Sequence, residues 1–119
     1  MIDINTRFIP KKRLEGKKKP LESKLEKDFV KLLNMANIIN IKGNSIGIKG
    51  FPDRIVFADT IYYVELKVGK ELGSYYTQTP KQKEWQDIIE KSNGKYVLLV
   101  GEESIKNFVK ELKEKTLVI

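Results

Sequence analysis

The stretch Gly50–Lys67, GFPDRIVFADTIYYVELK, decides how this chain folds. Two runs rich in β-branched and aromatic residues, RIVFA (54–58) and TIYYVELK (60–67), read as strands. If Ala58-Asp59-Thr60 is a three-residue connection, the runs form an antiparallel hairpin in which residues whose numbers sum to 118 face each other. Phe57 then meets Ile61, and Asp53 meets Glu65. Directly opposed residues hold their Cβ atoms about 4.5–5.5 Å apart, a separation at which two carboxylates can share one divalent cation. Alternation along the strand sends Glu65 and Lys67 to one face and Leu66 to the other. The connection contains no glycine to set its length, and a slip of one residue would carry Asp53 off that face.

A purely structural reading makes Asp53 a turn residue after Pro52 and Glu65–Lys67 an exposed ion pair worth less than about 1 kcal/mol. That reading leaves a cost unexplained, because like charges directly opposed on a sheet are destabilising. A cation between the two carboxylates removes the cost. Composition narrows which cation. The chain has no Cys and no His, which excludes a thiolate nucleophile, a disulfide, a zinc site of the usual Cys/His type and a Ser-His-Asp relay. Catalysis must rest on Asp, Glu, Lys, Tyr, Ser or Thr, and a metal must accept oxygen ligands, which points to Mg²⁺ or Mn²⁺.

Upstream of the hairpin, Leu25, Phe29, Leu32, Leu33 and Ala36 recur at helical spacing and predict a helix over about residues 21–37, with Pro20 at or just before its start. IINIKG and NSIGIKG, bounded by Gly43, Gly47 and Gly50, read as a first strand and a glycine-loosened turn. Downstream, VGKELGSYYTQ is a loop. Thr79-Pro80-Lys81-Gln82 opens a second helix with an N-cap Thr, a Pro in the first turn and a Gln three after the cap, running to about Ser92 before Gly94. KYVLLV (95–100) is continuous rather than alternating and predicts a strand buried on both faces. A last amphipathic helix carries Ile105, Phe108, Val109 and Leu112 along one side. The order α, three strands, α, strand, α, without internal repeat, predicts an α/β fold in which helices flank a mixed central sheet.

At 119 residues, 40% hydrophobic and 33% charged, the chain suits one domain with a single core. No run approaches the ~18 apolar residues of a membrane span, and MIDINTRFIPKKR offers no secretory apolar stretch, so a cytoplasmic location and no membrane partner are expected. The net charge of +7 is concentrated at the start: residues 1–20 hold seven Lys or Arg against Asp3 and Glu15, which leaves +2 for the remaining 99. Residues 1–20, with Pro10, Gly16 and Pro20, read as a flexible basic tail ahead of a folded domain over 21–119. Lys17, Lys18 and Lys19 make that tail either a phosphate-seeking arm or a solubilising terminus.

Four segments taken together, SKLEKDFVKLL (23–33), Gly50-x-Pro52-Asp53-Arg54, Glu65-Leu66-Lys67 and TPKQKEW (79–85), resemble in order and spacing the virus-type replication-repair nuclease (VRR-Nuc) domain of the PD-(D/E)xK nuclease superfamily. The resemblance runs from about Ser23 to Leu112. It implies a restriction-endonuclease-like αβββαβ core. It also implies that Asp53 and Glu65 are metal-binding carboxylates, that the backbone carbonyl of Leu66 is a further ligand, and that Lys67 orients or helps deprotonate the attacking water. Glu26 matches the first-helix acidic residue that completes the site, and Gln82 matches the family's helix-opening glutamine. The loop between Lys67 and Gln82 is somewhat longer here than in many relatives.

Each residue has a plainer reading beside this one. Glu26 lacks an oppositely charged neighbour at i±4 and shares a face with Phe29, Val30 and Leu33, which favours an inward placement; Glu22 competes with it for the role. Gln82 is explained equally well as the third residue of a capping box with Thr79. Tyr62 and Tyr63 suit packing, whereas Tyr75 and Tyr76, in the loop by the proposed site, are candidates for stacking on bases. Lys81 and Lys83 flank Gln82 at a helix N-terminus, where backbone amides also favour a phosphate.

The expected activity is metal-dependent hydrolysis of DNA phosphodiesters by an endonuclease. Small stand-alone, phage-type members of the family look like homodimers that select branched DNA such as four-way (Holliday) junctions, in a bacterial or phage-infected cell. A nicking or degrading nuclease on ordinary duplex or single strands is the enzymatic alternative. A non-catalytic DNA-binding module is the alternative from another class, distinguished by binding DNA without Mg²⁺ and leaving it uncut.

Overall fold

A computed structural model describes residues 10–43, 47–69 and 78–117, with residues 10–21 and 116–117 in backbone only. Helix α1 (Pro10–Met35) leads through Asn37, in the left-handed conformation, to strand β1 (Ile39–Lys42). The hairpin follows as β2 (Arg54–Phe57) and β3 (Ile61–Lys67), then α2 (Pro80–Lys91), β4 (Lys95–Val100) and α3 (Gly101–Leu117). The four strands form one mixed sheet in the order β1-β2-β3-β4, with β3 and β4 parallel and the other pairs antiparallel. This is the predicted α/β architecture.

The hairpin register is the one expected from a three-residue connection. Phe57 pairs with Ile61 and Arg54 with Val64, and Ala58 N–H closes the turn on the Thr60 carbonyl at 2.9 Å. One step beyond the last pair, Asp53 comes opposite Glu65. Even-numbered side chains of β2 and β3, Val56, Tyr62 and Val64, bury against Leu25, Phe29 and Leu33 of α1 and Ile105, Phe108 and Leu112 of α3. Tyr62 and Phe108 meet edge to face at 5.4 Å, and Tyr63 lies edge-on to Phe51, which in turn contacts Trp85 of α2. Both tyrosines are packing residues, as expected. Helix α2 thus covers part of the other face of the sheet, and Ile39, Phe57 and Ile61, aligned across three strands, stay exposed there.

Two expectations need correction. Residues 10–20, read as part of a flexible tail, are helical: α1 begins at Pro10 and passes through Pro20 without a break. The Lys, Arg, Leu and Glu residues around that proline have high intrinsic helix propensity, and in a helix already nucleated and anchored by Leu25, Phe29 and Leu33 they offset in part the hydrogen bond that Pro20 removes. Residues 1–9 of the tail lie outside the described residues, as do the side chains of Lys17, Lys18 and Lys19. Strand β4 is buried on both faces only at Leu99 and Val100; Tyr96, Val97 and Leu98 are half-buried, because β4 ends the sheet and has a neighbour on one side alone.

Gly50 fixes the approach of the hairpin to α2. It has φ +79°, and a Cβ there would stand 2.6 Å from Lys81 Cβ and 2.7 Å from the Lys81 carbonyl carbon. Only glycine permits both the left-handed backbone and that contact. Among the described residues no helix is long and apolar enough to cross a membrane.

Candidate active site

At the carboxyl end of β3, a cavity of about 600 Å³ is lined by Glu22 and Glu26 of α1, by Asp53 at the mouth of β2, by Glu65 and Lys67, and by Gln82 of α2. The topology explains the convergence. Pro52, fully buried, and the bond from Gly43 N–H to the Asp53 carbonyl at 2.8 Å lock the entry to β2. The Asp53 side chain then turns inward, and its Oδ2 accepts from Leu66 N–H at 2.8 Å, taking the place of the carbonyl that a longer β2 would have offered to the ladder.

Glu65 is the only buried charged residue among the described residues, 4% exposed. Its Oε2 accepts from Gln82 Nε2 at 2.8 Å and stands 3.9 Å from Lys67 Nζ, while its Oε1 is buried without a hydrogen-bond partner. Burial, and then the Asp53 charge, push the Glu65 carboxyl up to about 8, against the opposing pull of Lys67. Burial also raises Asp53, offset in part by the Leu66 amide and Lys67. Two facing carboxyl groups whose joint ionisation is opposed by burial and by each other's charge, one with a bare oxygen, fit an oxygen-ligated divalent cation. Such an ion would satisfy the orphaned atom and reverse both shifts.

Gln82 closes the capping box read from the sequence and also reaches the groups on β3. Thr79 Oγ1 accepts from Gln82 N–H at 3.2 Å and Gln82 Oε1 accepts from Thr79 N–H at 2.9 Å, closing a capping box. The same Oε1 accepts from Lys67 Nζ at 2.9 Å, leaving Nε2 to donate to Glu65. One amide therefore starts α2 and ties the ammonium to the carboxylate.

Glu26 points inward as expected, but to a different partner. Its Oε2 lies 3.2 Å from Arg54 Nη1 and 4.0 Å from Lys42 Nζ. Arg54 is 13% exposed at its side chain and also donates from Nη2 to Asn40 Oδ1 at 2.7 Å. Among the described residues no three acidic side chains gather closely enough to hold an ion. Asp53 and Glu65 come together, and Glu26 shares their cavity while bound to Arg54. Glu22 lines the same cavity and bears electrostatically on both Asp53 and Glu65. Sequence reasoning assigned no role to Arg54 or Lys42. The alternation that puts Asp53 on one face of β2 puts Arg54 on the other, toward α1, and that signal was available.

Lys81 and Lys83 are exposed at the start of α2, Lys81 with its Nζ 3.4 Å from Glu84. Leu66 lines the cavity. Tyr75 and Tyr76 lie outside the described residues. No protein-family model matches this chain, and neither a curated protein nor a solved structure is similar to it.

Proposed function

We propose that this protein is a divalent-metal-dependent DNA endonuclease with a restriction-endonuclease-like core of the VRR-Nuc kind. The observation that carries the reading is Glu65: buried, with Oε1 unpartnered, opposite Asp53 and linked through Gln82 to Lys67. A structural ion pair would not leave that oxygen bare. Asp53, Glu65 and the carbonyl of Leu66 would hold Mg²⁺ or Mn²⁺, with Glu26 or Glu22 completing the set from α1. The bound ion would supply Lewis-acid polarisation and charge neutralisation for in-line displacement at phosphorus.

The chain's own groups do the positioning. Gln82 fixes the Lys67 ammonium at the mouth of the cavity, where it stabilises negative charge developing on a phosphate oxygen. Leu66 N–H holds Asp53 in the inward rotamer. Arg54 holds Glu26, setting the wall that faces the carboxylates. Branched DNA is the proposed substrate and a homodimer the proposed working form, since a two-fold assembly matches a four-way junction. The site is tested by Asp53→Ala, Glu65→Ala and Lys67→Ala. Each is expected to abolish cleavage while retaining DNA binding; full activity in either carboxylate variant would reject the assignment.

A further inference from the structure

The cavity beside the carboxylates does not end at Glu26. It shares Ser23, Glu26 and Lys42 with a second cavity, of about 620 Å³, that continues along α1 past Lys27 and Lys31 to Met35, with Arg54 on the strand side. Four cationic side chains line this groove against one carboxylate, Glu26, and Arg54 already matches that carboxylate at 3.2 Å. Among the described residues neither Lys27 nor Lys31 has an ion-pair or hydrogen-bond partner. Lys24, on the same helix but outside the groove, is by contrast engaged by Asp28 at 3.0 Å and Glu102 at 3.7 Å. Lys27 and Lys31 are about 6 Å apart along the helix axis, a like-charged i,i+4 pair that destabilises a helix. An extended polyanion lying in the groove removes that repulsion.

We propose that this groove carries the phosphate backbone of a nucleic-acid strand into the carboxylate site, with Lys27, Lys31 and Lys42 as its phosphate contacts. The identity of the polyanion rests on the nuclease reading; the groove's charge does not. The path runs along the flank of α1, away from Lys81 and Lys83 at the start of α2. Each phosphate neutralised contributes about 0.9 to the salt slope of duplex binding and about 0.7 for a single strand.

The test is binding of labelled four-way junction and linear duplex in chelator, followed by fluorescence anisotropy over a salt series. It compares the wild type, Lys27→Gln/Lys31→Gln/Lys42→Gln, and the control Lys95→Gln/Lys110→Gln/Lys113→Gln, which removes the same charge elsewhere. All six lysines are exposed, and circular dichroism verifies that the variants fold; Lys31→Glu alone gives a second, smaller perturbation. The groove variant is expected to bind at least about tenfold more weakly with a salt slope lower by about 2 to 3, the control to stay within about threefold of wild type. Equal weakening in both variants, unchanged binding by the groove variant, or no DNA binding by the wild type would overturn the proposal. Wild-type cleavage, measured separately, judges the nuclease reading: groove-dependent binding without cleavage supports the groove and removes the nuclease, whereas cleavage with groove-independent binding does the reverse.

Discussion

Glu65 sets how the metal-free protein responds to pH. In the unfolded chain its carboxyl ionises at its ordinary value of 4.5, and in the folded chain it keeps its proton up to about 8. Between those values the folded state binds more protons, so stability falls as pH rises through the window and is flat below it. Glu65→Gln removes the titration. In chelator it is expected to flatten the thermal stability profile from about pH 5 to about pH 9, and to raise stability at the alkaline end by on the order of 1 to 3 kcal/mol. An unchanged profile would contradict the assignment of the buried carboxyl. Added Mg²⁺ should raise the wild-type Tm more at the alkaline end of the window than at the acid end, because ion and proton compete for one oxygen set. Gln82 allows its two roles to be separated at the same scale. Thr79→Ala removes the cap and costs about 1 kcal/mol by denaturant unfolding, with cleavage retained. Gln82→Ala costs a similar amount and also lowers cleavage by on the order of 10- to 100-fold, since Lys67 and Glu65 lose their shared partner.

At the scale of elements, the hairpin was the legible part. Its register followed from the length of Ala58-Asp59-Thr60, and with it the juxtaposition of Asp53 and Glu65. The capping box over Thr79–Gln82 was legible too, because every group in it lies within four residues. Less could be read where partners are distant. The ion pair between Glu26 and Arg54 spans 28 positions, and local spacing establishes only that Glu26 lacks a neighbour on its own helix. The continuation of α1 through Pro20 was missed because proline was weighed against helix formation without the tertiary anchoring that follows it. Gly50 shows how tightly the elements are fitted at the site. Gly50→Ala would impose a strained left-handed backbone, costing on the order of 1 to 3 kcal/mol, and press a Cβ onto the Lys81 backbone beside Gln82. Lower thermal stability together with reduced cleavage is expected; wild-type stability would mean that the hairpin and α2 do not meet this closely.

Across the whole molecule, one mixed sheet divides the labour. Val56, Tyr62 and Val64 of β2 and β3, with Leu99 of β4, make the core with α1 and α3, and the odd-numbered side chains at the carboxyl end of β3, Glu65 and Lys67, meet Gln82 of α2. In open α/β sheets ligands bind outside the carboxyl ends of strands, and here the cavity lies at that end of β3, which α2 joins to its parallel neighbour β4. The central claim, that Asp53 and Glu65 form a metal site for phosphodiester cleavage, is tested most directly by incubating labelled four-way junction and matched linear duplex with wild type and Asp53→Ala, in Mg²⁺, in Mn²⁺ and in chelator. Junction cutting that requires the metal and disappears in Asp53→Ala is the result expected. Cutting that persists in chelator or in Asp53→Ala, or no cutting of either DNA under any condition, would contradict it.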